Sequence, residues 1–160
     1  MKKSVKNVLG LFSALLICYG AAGLGGLFTS GSVQDWYQTL AKPSWNPPGW
    51  VFGPVWTALY GMMAVSVWLV WMGRPGKWAS APILLFAVQL GFNAIWSPLF
   101  FGLHLAGLAF VDIVLLWLSL MVTVYMFLKQ RLAAGLLLVP YLLWVSFAAA
   151  LNFAIWRLNS

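Results

Sequence analysis

The stretch KPSWNPPGWVFGPVWTALY, residues 42–60, decides how the chain is read. It opens as a stiff, aromatic, proline-rich approach and closes as an apolar helix. Pro47 and Pro48 have a fixed φ and no N–H donor, so they suit the first turn of a helix and little beyond it. Asn46 immediately before them is the expected N-cap. Trp45 and Trp50 suit a boundary between water and lipid, where an indole is half wet. From Val51 onward almost nothing is polar. The segment reads as a rigid loop feeding a transmembrane helix that carries Trp56 and Tyr60 one turn apart on one face.

Working outward, the 160 residues are 63% hydrophobic and 7% charged, with only two acids, Asp35 and Asp112. A soluble domain carries about 25% charged residues, so this composition defines an integral membrane protein. The formal charge of +7 comes from nine Lys and Arg scattered singly or in small groups. That pattern flanks membrane spans and does not form a nucleic-acid surface. Cys18 is the only cysteine and lies in an apolar run, so it reads as a buried spectator thiol with no intramolecular disulfide.

Five apolar runs come close to the roughly 20 residues that cross a bilayer. They predict an all-α bundle of five transmembrane helices in one domain over residues 1–160. The spans are expected at about 8–28, 50–72, 79–103, 105–128 and 132–156, with one long loop, Thr29 to Pro48. The first run could also be read as a signal peptide after Lys2, Lys3 and Lys6, but its apolar length exceeds a usual signal core and favours a retained span. Its far half, rich in Gly20, Gly23, Gly25 and Gly26, is expected to pack closely on neighbours. Lys2, Lys3, Lys6, Arg74, Lys77, Lys129 and Arg131 fall on one side, and Lys42 and Arg157 on the other. That asymmetry predicts a cytoplasmic N-terminus, an outward first loop and, for a bacterial host, the cytoplasmic membrane.

At 1.5 Å per helical residue, Tyr19, Trp56, Tyr60, Asn93, Asp112, Trp144 and Asn152 all fall between the midplane and the first-loop side. Polar groups in a bundle face protein or a cavity rather than lipid, so this sorting predicts a pocket open toward the loop. In the third span Gln89, Asn93 and Trp96 share one side. Ala87 and Gly91, a small-xxx-small pair on another side, suit either a dimer contact or packing within one subunit. Trp144, Ala148 and Asn152 recur at i, i+4 and i+8, with Ala148 leaving room between larger groups, and Pro140 is expected to kink that span or free a carbonyl. Asp112 has two readings: a proton or cation site, or a protonated or hydrogen-bonded acid. With no basic residue at its depth, the second is favoured. His104 lacks a second nearby ligand for haem. The sequence carries no metal cluster, phosphate loop, catalytic triad or carboxylate pair.

The segments KPSWNPPGWVFGPVWTALYGMMA, AVQLGFNAIWSPLFFG and VPYLLWVSFAAALNFAIWRLN together resemble the translocator protein family, also called tryptophan-rich sensory proteins or peripheral-type benzodiazepine receptors. The resemblance spans nearly the whole chain. It implies a five-helix bundle, often a homodimer, that binds porphyrins such as protoporphyrin IX or haem, and isoquinoline or benzodiazepine-type ligands, beneath the first loop. Carried over position by position, it implies a ligand site of Tyr37, Pro48, Phe52, Trp56, Tyr60, Asn93, Trp144 and Ala148. It also implies two alternatives to a receptor: light- and oxygen-dependent porphyrin breakdown involving Trp56 and Trp144, or a small porphyrin transporter with Asp112 as coupling site. Animal members carry a sterol motif ending in tyrosine and arginine. Here Phe153 stands in the tyrosine's place before Arg157, which argues against tight cholesterol binding.

Overall fold

The computed structural model describes residues 3–33, 35–73 and 80–160. Apolar sequence without water partners for its backbone must form helices, and that is what the described residues do. In order they are α1 (Lys3–Ser32), a short α2 (Trp36–Thr39), α3 (Phe52–Gly73), α4 (Ala81–Ser97), α5 (Ala106–Gln130) and α6 (Leu132–Leu158). Five stretches are long and apolar enough to cross a membrane: Val5–Ser32, Gly49–Gly73, Ala81–Gly102, Ala106–Gln130 and Leu132–Leu158. Ala79, expected to open the third span, and the cations Lys2, Arg74 and Lys77 lie outside the residues or side chains described.

Several boundaries differ from the sequence reading. The first span does not stop at Phe28. It continues to Ser32, with Thr29 Oγ1 bonded back to Gly25 O at 2.8 Å. Ser32 Oγ then donates to Phe101 O, tying the helix end to the end of the third span. Asn46 is not the N-cap of the second span. The residue before a proline is pushed away from helical geometry, so Pro47 and Pro48 hold the chain extended, with Pro48 at ψ 140°, and a 3₁₀ turn over Gly49–Val51 leads into α3. The Asn46 side chain instead accepts a bond from Tyr37 Oη and donates to Pro47 O. The third span ends its α-helical part at Ser97, and Pro98–Gly102 form a wider π turn. His104 follows with φ 59°, a left-handed position that glycine more often takes at a helix end. Pro140 lies on an exposed face of α6, which runs unbroken through it.

Packing is tightest where antiparallel neighbours meet over short turns. Arg131 alone separates α5 from α6. Beside that turn Gly135 is obligatory, because an added Cβ would strike the Leu128 side chain and its backbone nitrogen. Elsewhere Tyr141, Phe127, Met63, Leu116, Leu120 and Leu138 are fully buried at the helix interfaces. Trp50 at 76% exposure and Trp45 at 48% stand at the loop end, as an interfacial belt requires.

The contrast between two glycines is testable. Gly135→Ala overpacks the α5–α6 turn and is expected to cost about 1–3 kcal/mol. Gly20→Ala, where an added Cβ meets nothing within 4 Å, should change stability by less than about 1 kcal/mol, and thermal unfolding in detergent distinguishes the two.

Candidate functional site

Beneath the first loop the helices enclose a cavity of about 570 Å³, well within the size of small-molecule sites. Its walls come from α1, α3, α4, α5 and α6, and Tyr37 of the loop closes part of its top. Of the residues singled out from sequence, Tyr37, Phe52, Trp56, Tyr60, Asn93, Trp144 and Ala148 line it. Pro48 does not; its extended backbone delivers Gly49 to the rim instead.

Aromatic rings make most of the surface. Trp56 lies 5.6 Å from Tyr60 and 6.1 Å from Tyr141, and Trp144 lies 5.9 Å from Phe52, edge to face. On the opposite wall Trp96 stacks on Phe100 at 5.0 Å. Ala148 sits between Trp144 and Asn152, so the side of α6 facing the cavity is large, small, large.

Two polar systems hold these walls in place. Tyr60 Oη donates to Asn93 Oδ1, Asn93 Nδ2 donates to Tyr141 Oη at 2.8 Å, and Tyr141 Oη donates to Gln89 Oε1 at 3.0 Å. This chain joins α3, α4 and α6 and starts at the cavity floor. Tyr60's proton is committed to Asn93, which leaves the phenol oxygen as an acceptor. Higher up, Trp96 Nε1 donates to Asn152 Oδ1 and Asn152 Nδ2 donates to Ala106 O, both at 2.9 Å, joining α4, α6 and the start of α5. Trp144 Nε1 is buried without a hydrogen-bond partner among the described residues.

The roof is pinned at three points. Tyr37 wedges between Phe100 and Phe101 while its hydroxyl reaches Asn46 at 2.9 Å. Burial pushes its phenol above the ordinary range, against the smaller opposing effect of that bond. Trp36 stacks on His104 at 4.1 Å. Asn159 makes reciprocal bonds with Ala41, accepting from its N–H and donating to its carbonyl, each 2.9 Å.

Other residues land elsewhere. Asp112 is buried on α5 but does not line the cavity, and its Oδ2 has no hydrogen-bond partner among the described residues. Lys42 Nζ bonds the Gln38 and Leu40 carbonyls and lies 4.8 Å over the Tyr37 ring, rather than facing the cavity. Ala87 and Gly91 lie on the outer face of α4, where an added Cβ at Gly91 meets nothing, so Gly91 does not pack against this chain. The sequence reading placed Tyr19 of α1 at the cavity's depth, where it lines the wall, but missed the small residues of that helix. Ala22, Gly25, Gly26, Thr29 and Ser30 line the cavity, and only Gly25 among those glycines makes a close approach, to Ser97. Glycine without apolar periodicity signals both packing and open space, and nothing local separates the two.

An all-α, multi-pass membrane protein with a roofed aromatic cavity among five spans is therefore the class that fold and site define. A model of the TspO/MBR family matches residues 13–157, and the chain belongs to that family. The "Tryptophan-rich protein TspO" of Chlorobaculum tepidum is 45% identical over 157 residues, covering 96% of this chain and 98% of that protein. "Protein CrtK" of Rhodobacter capsulatus is 40% identical over 153 residues, covering 94% of each. The "Translocator protein" of Homo sapiens is 40% identical over 138 residues, covering 85% of this chain and 82% of that protein.

The buried hydrogen-bond chain yields a measurable contrast. Tyr141→Phe strands an Asn93 donor and a Gln89 acceptor and should destabilise the protein by about 1–3 kcal/mol. Tyr125→Phe, on an exposed surface, should leave the thermal midpoint in detergent unchanged.

Proposed function

We propose that the protein is a membrane receptor that binds porphyrins and related tetrapyrroles, protoporphyrin IX or haem, in the cavity under the first loop. The observation that carries this reading is the shape and lining of the site. It is a deep hollow whose walls are the flat faces and edges of Trp56, Trp96, Trp144, Phe52 and Tyr60. Flat aromatic ligands gain from stacking and edge-to-face contact with such rings. Tyr60 Oη supplies an acceptor at the floor and most of the remaining lining is apolar, so the ligand is polar at few points and apolar over most of its area. Carboxylates at its edge would sit at the rim, beside the N–H groups that begin the second span at Gly49. The same walls suit isoquinoline and benzodiazepine-type compounds. The names of the relatives, sensory protein and translocator protein, fit ligand recognition within a membrane.

Orientation follows in the same reading. Lys6, Lys129 and Arg131 mark the end remote from the loop, which we place in the cytoplasm of a bacterial host, with the loop on the far side of the cytoplasmic membrane. The exposed stripe of Ala87 and Gly91 is the proposed homodimer contact.

Titration of protoporphyrin IX against the purified protein, followed by tryptophan quenching, tests the proposal. Trp56→Ala and Trp144→Ala are each expected to weaken binding by about tenfold or more, the loss of a buried aromatic anchor. Equal binding by the double variant and the parent protein would show that this cavity is not the tetrapyrrole site.

A further inference from the structure

The cavity wall is incomplete along one line. On α1, Tyr19, Gly26 and Ser30 line the cavity and are also exposed; Tyr19 is 40% exposed. Facing them, Gly49, Gly53 and Thr57 do the same. Spacings of seven and four on one helix, and four and four on the other, put each set on a single edge. The two edges form a seam between the first and second spans. A Cβ added at Gly26, Gly49 or Gly53 meets no atom within 4 Å, so the seam is open rather than tightly packed.

At the inner end of the seam Tyr19 Oη donates across it to Thr57 O at 2.9 Å. Tyr19 and Thr57 also line a second, shallow groove on the outside of the bundle. Its other walls are Pro54, Ala58, Gly61, Met62, Val65 and Leu137. All of these belong to the membrane-spanning parts of α3 and α6, so the groove faces hydrocarbon. It is apolar except at Tyr19 and Thr57, where it meets the cavity. By contrast, the roof is held by the Tyr37 wedge, the Trp36–His104 stack and the Asn159–Ala41 pair.

We propose that the cavity loads sideways from the bilayer: the outer groove is a vestibule for a lipid-dissolved amphiphile, and Tyr19 is the gatepost between groove and cavity. The inference rests on the cavity being a ligand site and adds the class of molecule that reaches it, one already partitioned into the membrane rather than one arriving from water. Passage requires the Tyr19–Thr57 bond to open and the tyrosine ring to swing from the seam. At Gly26 and Gly53 no side chain narrows the remaining gap.

Thiol labelling tests access without using any porphyrin, so failure of tetrapyrrole binding and failure of the side entrance are separate results. Ala148→Cys places a thiol in the cavity wall, in a Cys18→Ala background within liposomes. An N-alkyl maleimide that partitions into lipid should label it faster than a membrane-impermeant charged maleimide added on both sides. Gly53→Leu and Gly26→Leu, which project into the seam, should each slow the alkyl reagent by about tenfold. Tyr19→Phe should speed it. Gly23→Leu, equally unobstructed but absent from the cavity lining, controls for folding and should leave the rate unchanged. Asn159→Ala, which releases the roof, should also leave it unchanged. Faster labelling after Asn159→Ala, with no effect of Gly53→Leu or Gly26→Leu, would place the entrance at the roof and overturn the proposal.

Discussion

Hydrocarbon offers no partner to a polar group, and the rest of this structure depends on that constraint. It forces the backbone into helices, and it drives the amides and hydroxyls within the spans toward partners inside the chain. Gln89, Asn93, Tyr141 and Tyr60 answer it as one continuous chain of bonds across three helices. Asn152 answers it by bridging Trp96 and the Ala106 carbonyl. Because these bonds cost most when left unmade, they fix helix register more sharply than interchangeable apolar contacts do. The cavity persists between them because its walls are anchored from behind.

The same bonds explain why the site is polar at so few points. Tyr60 spends its proton on Asn93, and Trp96 spends its N–H on Asn152. What remains toward the hollow is a phenol oxygen and a large area of aromatic carbon. In the proposed reading, such a site selects shape and flatness first and the position of one acceptor second.

Much of this was legible in the residues. The five spans follow from composition and run length, which physics ties directly to bilayer thickness. The cavity's depth was legible because polar residues in spans are costly and therefore cluster, and Trp56, Tyr60, Asn93, Trp144 and Asn152 all meet there. Asp112 shares their depth but does not line the hollow, because depth says nothing about rotation about a helix axis until the neighbours are known. Pro48 failed for a local reason: consecutive prolines hold the backbone extended, and an extended approach carries the following glycine, not the proline, to the rim.

By itself, then, the sequence determined that the chain is a bundle of membrane-spanning helices, that its polar and aromatic groups gather in the half nearer the first loop, and that it resembles a family now matched over residues 13–157. Those properties depend on composition and one-dimensional spacing. Tertiary structure alone decided that Gly26 of α1 meets open space while Gly25 beside it approaches Ser97, that Tyr141 and Gln89 brace the floor from behind, and that Asn159 latches the roof 118 positions away in sequence. Each of these depends on which helix stands opposite, and no local periodicity encodes that.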